Sequence, residues 1–141
     1  MRLIVVDASI LFSFFKPESF TRNLIKSVYL KGAKLIVPDF ALDELYLLKQ
    51  KICKYCGIGG VEFIISFALL SEILEVVPRS EFEKFESKAL KLLPEHTKDM
   101  PYFALALASA CAIWSNEKRF KEQSDIDIFS TDDIKRLFDI E

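Results

Sequence analysis

A three-layer α/β/α sandwich around a mostly parallel sheet is the architecture this sequence predicts, and three observations carry that expectation. Short β-rich apolar runs alternate with stretches whose apolar residues recur at helical spacing. The first run, Leu3-Ile4-Val5-Val6, is continuous rather than alternating, as in a strand buried on both faces of a parallel sheet. The length of 141 residues suits one domain with its own core, taken here as 1–141. Strands and helices in this alternation join by right-handed βαβ crossovers, which cover the sheet on both faces.

The first strand ends at Asp7. From about Ser19, residues Phe20, Leu24, Ile25 and Val28 lie at helix spacing, and Gly32 stands where a left-handed C-terminal cap belongs. Lys34 to Val37 reads as a second strand stopped by Pro38. Ala41, Leu45, Leu48 and Ile52 then form one apolar helix stripe bordered by Glu44. Gly57-Ile58-Gly59-Gly60 is the flexible break before a helix from Val61 to about Ser71 and a strand from Leu74 to Val77. Ser80 and Glu83 have the spacing of a capping box ahead of Phe82, Phe85, Ala89 and Leu92, which predicts a surface helix ending before Pro94. Met100 to Cys111 is apolar almost all round, a buried helix with Asp99 as its N-cap and Pro101 in its first turn. Ala112 to Trp114 and Ile126 to Phe129 read as strands, and a last helix after Thr131 carries Ile134, Leu137 and Phe138.

Hydrophobic residues make up 51% of the chain, with thirteen Phe, so disorder is excluded. A net charge of -2 excludes a protein that coats nucleic acid through bulk positive charge. Any contact with a phosphate backbone must be local, and Lys16, Arg22, Lys26, Lys118, Arg119 and Lys121 are candidates to guide it. Three cysteines and no signal-peptide pattern lead us to expect a reducing, cytoplasmic setting. The most apolar run, Phe63 to Ser71, falls well short of the roughly 20 residues of a spanning helix, so no membrane crossing is expected. The apolar stretch Val61 to Leu74 is richer than one helix face buries, which leads us to expect self-association, most simply a homodimer.

In open parallel sheets, sites form beyond the carboxyl ends of the strands. Asp7 closes the first strand, Glu44 lies in the first turns after the second, Glu117 follows the strand Ala112 to Trp114, and Asp99 opens the helix leading into it. Convergent carboxylates suit a hard divalent cation, which takes oxygen ligands and keeps several waters. Such an ion polarises a scissile phosphate and lowers the pKa of a bound water. Zinc fits poorly, since His96 is the sole histidine and Cys53-Lys54-Tyr55-Cys56 is a single CxxC. Each acid also has a plainer role. Asp7 suits a turn cap with Ser9, Asp99 is a good N-cap, Glu44 suits a solvated helix face, and Glu117 sits in a polar loop with Asn116, Lys118 and Arg119. Asp43, about 100° around the helix from Glu44, is read as solvated. The functional reading rests on the four acids together.

Val-Val-Asp-Ala-Ser at 5 to 9, Pro-Asp-Phe-Ala-Leu-Asp-Glu-Leu at 38 to 45, Lys-Asp-Met-Pro-Tyr-Phe-Ala-Leu-Ala at 98 to 106 and Ile-Trp-Ser-Asn-Glu-Lys-Arg-Phe at 113 to 120 stand in the order of a PIN domain, which the chain resembles over nearly its whole length. The resemblance is nearest to the VapC-like prokaryotic branch. It implies a Mg²⁺- or Mn²⁺-dependent endoribonuclease, often the toxin of a toxin-antitoxin pair whose antitoxin is a protein partner. By position it puts the family's acids on Asp7, Glu44, Asp99 and Glu117, with Asp7, Asp99 and Glu117 at the metal and Ser9 and Ser115 supporting. Glu117 departs from the usual Asp, adding one methylene. An aspartyl-phosphate phosphatase would need a second Asp where Ser9 stands, and a receiver domain would need an early acidic pair. A PIN-like module that binds nucleic acid or assembles without catalysis is the remaining alternative.

Overall fold

The computed structural model describes residues 2–141. Its elements are β1 (Leu3–Val6), α1 (Ala8–Ser13), α2 (Phe20–Leu30), β2 (Lys34–Pro38), α3 (Ala41–Leu47), α4 (Lys49–Cys56), α5 (Gly60–Ile73), β3 (Leu74–Val77), α6 (Glu86–Leu92), α7 (Met100–Ser109), β4 (Ala112–Trp114), β5 (Ile128–Phe129) and α8 (Thr131–Leu137). The strands form one sheet in the order β3-β2-β1-β4-β5. Every neighbouring pair is parallel, with Ile4 opposite Leu35 on one side and Ala112 on the other. From β1 the chain builds outward through β2 and β3, then returns to place β4 and β5 on the other flank. The reversal between β1 and β4 is the topological switch point, where loops diverge and leave a crevice.

Alternation along each strand makes the three layers. Ile4, Val6, Leu35, Val37 and Trp114 belong to one buried cluster with residues of α1, α2, α3, α4 and α5. Val5, Ile36 and Ile113 belong to a second with residues of α7 and Ala89 of α6. Successive strand side chains point to opposite faces, so a strand apolar on both is the only kind that can sit between two helical layers. Each fully buried Val, Leu, Ile or Phe here contributes about 1.5–3 kcal/mol of transfer free energy. Phe63 of α5 stacks on Phe15 at 4.9 Å and on Phe67 at 5.8 Å between ring centroids, which fixes the Phe-rich helix against the chain after α1.

Several local expectations need correction. The stripe Ala41 to Ile52 is two helices, broken at Leu48, whose side chain is 41% exposed. The Ser80–Glu83 capping box does not form. Ser80 lies inside a 3₁₀ turn, Arg79–Glu81, a second turn spans Glu83–Phe85, and α6 begins only at Glu86. Asp39 accepts the Arg79 backbone N–H at 3.1 Å and Glu86 takes its guanidinium at 2.8 Å, so side chains outside the segment hold the turns in place. The last strand is shorter than expected, Ile128–Phe129, and α1 went unforeseen. Gly32 has the expected positive φ of 95° after α2, and Gly57 at 67° caps α4. Among the described residues no single helix is long and apolar enough to cross a membrane, and the α4–α5 pair bends by 107° at the glycine break.

Candidate metal centre

Asp7 is the best-defined part of the site. It leaves the central strand with its N–H bonded to the Trp114 carbonyl at 3.0 Å, so the β1–β4 ladder fixes its backbone. Its Oδ1 accepts the Ala8 N–H at 2.8 Å, capping α1, and its Oδ2 accepts the hydroxyls of Ser9 at 2.9 Å and Ser115 at 2.8 Å. The side chain is only 5% exposed. Burial raises its pKa above the ordinary carboxylate range, while the bonds from Ser115, Ser9 and Ala8 pull it back and the charge of Glu117 adds a smaller push upward. A carboxylate offers about four lone-pair sites, and three are used, which leaves one on Oδ1 for an ion or its water.

Ser115 ties the two strand ends together. Its N–H bonds to the Phe129 carbonyl at 2.9 Å, its hydroxyl donates to Asp7, and the same oxygen accepts the Glu117 N–H at 3.1 Å. Asn116 clasps the start of α8, donating to Thr131 Oγ1 at 2.9 Å and accepting the Thr131 N–H at 2.8 Å. Glu117 caps the 3₁₀ turn Lys118–Glu122, and its carboxylate takes the Arg119 N–H at 3.2 Å, Nε at 3.1 Å and Nη2 at 3.4 Å. Those bonds lower its pKa.

Asp99 reaches the site from the opposite helical layer. It ends a 3₁₀ turn, Thr97–Asp99, and occupies the N-cap position of α7, but its side chain makes no capping hydrogen bond, contrary to expectation. Burial, then the charge of Asp7, raises its pKa, with Glu117 adding to the rise and His96 and Arg119 opposing it. Glu44, the fourth residue of α3, is exposed. Tyr102 was missed in the sequence. Its ring is buried against Phe40, and burial first, then the charges of Asp7, Glu44 and Asp99, hold its proton on. The phenol therefore sits where the fields of three of the four acids overlap. Its position three residues after Asp99, one turn along α7, is the signal that could have found it.

The acids share an electrostatic field without forming a ready ligand shell. Among the described residues no three His, Cys, Asp or Glu side chains stand close enough together to hold a metal ion as they are. The donors available at the switch point are all hard oxygens, with a spare lone pair on Asp7, which suits Mg²⁺ or Mn²⁺ bound by one or two carboxylates and water. The CxxC lies apart on α4, where Cys53 Sγ donates to the Gly59 carbonyl at 3.8 Å. Of the candidate basic residues, Lys16, Lys26 and Lys118 are exposed. Arg22 is drawn into the α2–α5 junction by Ser66 at 3.1 Å and the Phe14 ring at 5.0 Å, Lys121 faces Asp133 at 3.6 Å, and Arg119 is engaged by Glu117. A groove of about 930 Å³ opens at the other end of β1 and β4, between Arg2, Cys111 and Asp127, so cavity size does not mark the acids.

Comparison with known proteins bears on the fold and the family. No curated protein sequence matches the chain. The fold is similar to VapBC2 from Rickettsia felis bound to a DNA fragment from its promoter, with a TM-score of 0.69 over 91% of this chain and 98% of that one, at 14% identity. It is also similar to Mycobacterium tuberculosis VapC20, a sarcin-ricin loop cleaving toxin, with a TM-score of 0.56 over 88% of this chain and 98% of that one, at 16% identity. At such identities the likeness is one of fold. The family model of the PIN domain matches residues 5–134, from the strand that delivers Asp7 to the helix that closes the sheet, and on that match the chain belongs to the PIN-domain family.

Proposed function

We propose that the protein is a Mg²⁺- or Mn²⁺-dependent endoribonuclease that hydrolyses RNA phosphodiester bonds at the β1–β4 switch point. The observation that carries this reading is Asp7, a buried carboxylate at the end of the central strand, held by three donors and within the electrostatic reach of Asp99 and Glu117. Asp7, Asp99 and Glu117 would hold the ion, with Ser9 and Ser115 fixing the Asp7 carboxylate. When bound, such an ion supplies a Lewis acid for the phosphate and a bound water acidic enough to attack it. Glu44, exposed on α3, would act as the proton acceptor for the attacking water, and the Tyr102 phenol, which keeps its proton, would donate a hydrogen bond to an anionic oxygen. Exposed Lys16 and Lys118 would meet the RNA backbone.

Asp7→Asn removes an anionic ligand without changing volume. It should abolish Mn²⁺-dependent shortening of RNA on a gel while the circular-dichroism spectrum is retained, and cleavage at the wild-type rate by the purified variant would refute the mechanism. The alternative, a binding module, draws on the absence of a ready ligand shell and on the Glu117–Arg119 pair. Such a module would retard RNA on the gel without shortening it.

A toxin role with a protein antitoxin is supported by the fold shared with the VapBC2 and VapC20 proteins. Homodimerisation is supported by Leu47, Tyr55, Val61 and Ile65, all more than 60% exposed along α3 to α5. A single 16.2 kDa species in light scattering at micromolar concentration would exclude it. Three cysteines held as thiols fit a reducing, cytoplasmic setting.

A further inference from the structure

Glu117 and Arg119 form an arrangement that the proposed chemistry does not explain by itself. The Glu117 carboxylate takes three hydrogen bonds from one residue: the backbone N–H and Nε of Arg119 on Oε1, and Nη2 on Oε2. Of its four lone-pair sites only one remains free, on Oε2. The backbone of Glu117 is meanwhile fixed by Ser115 Oγ, the atom that also braces Asp7. Arg119 is half-exposed, and its charge also reaches Asp99. A single guanidinium therefore stands against one acid of the cluster and within range of a second.

We propose that Arg119 is a built-in competitor for the divalent cation, holding Glu117 until the ion takes that carboxylate and then turning its guanidinium to the RNA phosphate. The inference rests on the metal-dependent reading above. Two cations compete for the same oxygens: the free lone pair on Oε2 lets an ion approach only beside the guanidinium charge, and the ion gains both carboxylate oxygens only by displacing Arg119. An arginine suits the second half of the exchange because its planar fork matches phosphate as well as carboxylate. It is also tethered two residues from the acid it leaves, so its travel is a change of side-chain rotamer rather than of backbone. Arg119 acts as a positioning residue for Glu117 and contacts substrate only after the exchange. The lengthened fourth acid has a role in this scheme, since the extra methylene lets Glu117 fold back onto the guanidinium of a residue in its own turn.

The test compares wild type, Arg119→Gln, Arg119→Lys and Asp7→Asn by isothermal titration with Mn²⁺, and by fluorescence anisotropy of a short RNA in Ca²⁺. Exposed ion pairs are weak, so Arg119→Gln should bind Mn²⁺ about two- to five-fold tighter than wild type. The same variant should bind RNA more weakly, with a shallower dependence on salt by about one phosphate contact. Arg119→Lys, which keeps the charge but not the fork, should fall between wild type and Gln in both measurements. Mn²⁺ binding lost in Asp7→Asn but equal in wild type and Arg119→Gln would overturn the role of Arg119 and leave the metal site standing. Mn²⁺ binding absent from wild type, or indifferent to Asp7→Asn, would overturn the metal reading and the exchange with it.

Discussion

Asp7 shows how one residue serves two roles that looked like alternatives in the sequence. Its Oδ1 caps α1 and its Oδ2 collects two hydroxyls, so the plain capping role and the proposed ligand role coexist on one carboxylate. The Ser115 hydroxyl is the joint between them, since it serves Asp7 as donor and Glu117 N–H as acceptor while only 1% exposed. Ser115→Ala leaves a buried carboxylate short of a donor and a backbone N–H short of an acceptor. It should destabilise the protein by about 1–3 kcal/mol in urea denaturation and lower cleavage as well. A variant as stable as wild type would mean that water replaces the hydroxyl at no cost. Asp7 and Ser115 were legible because each sits at the end of a strand whose apolar run is unmistakable. Tyr102 was not, because its one signal, a spacing of one turn from Asp99, is shared by any aromatic of a buried apolar helix that packs only in the core. The commitment of Glu117 to Arg119 was not legible either, since a polar loop gives no periodicity from which to read a side-chain direction.

At the scale of the element, sequence signals held where the chain's own neighbours decide the structure and failed where distant groups do. The β1, α2, β3 and β4 readings agree with the structure to within a residue or two, because continuous apolar runs, helical spacing and the glycine after α2 are local signals. The Ser80 capping box failed because Asp39, forty residues away, takes the Arg79 N–H. The single stripe from Ala41 failed because Leu48 is apolar without being buried, so periodicity counted a residue that packing does not use. The end of α7 supplies a test of this local logic. Ala110 occupies the left-handed region at φ 51° and ψ 49°, bonding its N–H to the carbonyls of Ala106 and Leu107. An L-residue with a Cβ is disfavoured there, and glycine is not. Ala110→Gly should therefore raise stability by about 0.5–1 kcal/mol, after the entropy that glycine adds to the unfolded chain is discounted. Thermal melting checks the sign. Cleavage should be unchanged, since Ala110 borders the groove at the end of the sheet away from Asp7.

For the molecule as a whole, the layer arrangement could be read from composition and alternation, whereas the strand order could not. Two buried clusters divide cleanly by the odd and even positions of β1, β2 and β4, which is the pattern that continuous apolar strands require. Which strand pairs with which depends on contacts between distant segments, and no local pattern encodes that choice. The order β3-β2-β1-β4-β5 nevertheless decides everything about the site, because it puts the ends of β1 and β4 side by side. Bringing acids together there has a cost to global stability, and its pH dependence follows from the pKa directions. Asp7 and Asp99 are raised in the folded protein, chiefly by burial rather than by mutual repulsion, so the folded state holds these protons more tightly than the unfolded chain. Their contribution to stability is therefore greatest below the ordinary carboxylate pKa and falls as pH rises through the raised values. Glu117 is lowered by Arg119 and has the opposite sign, but its side chain is 38% exposed and its effect is screened. In chelator, Asp7→Asn should melt at or above the wild-type temperature at neutral pH, with its advantage shrinking toward pH 4 as the wild-type carboxyl takes up its proton. An Asn amide can still accept from Ala8 and donate to the two hydroxyls, so the capping bonds survive the change. Added Mn²⁺ should stabilise wild type by about 2.7 kcal/mol at a hundred-fold excess over its Kd, and Asp7→Asn should lose most of that shift. If instead Asp7→Asn melts several degrees below wild type in chelator at neutral pH, and Mn²⁺ shifts both proteins equally, Asp7 is a capping residue alone and the ion binds elsewhere.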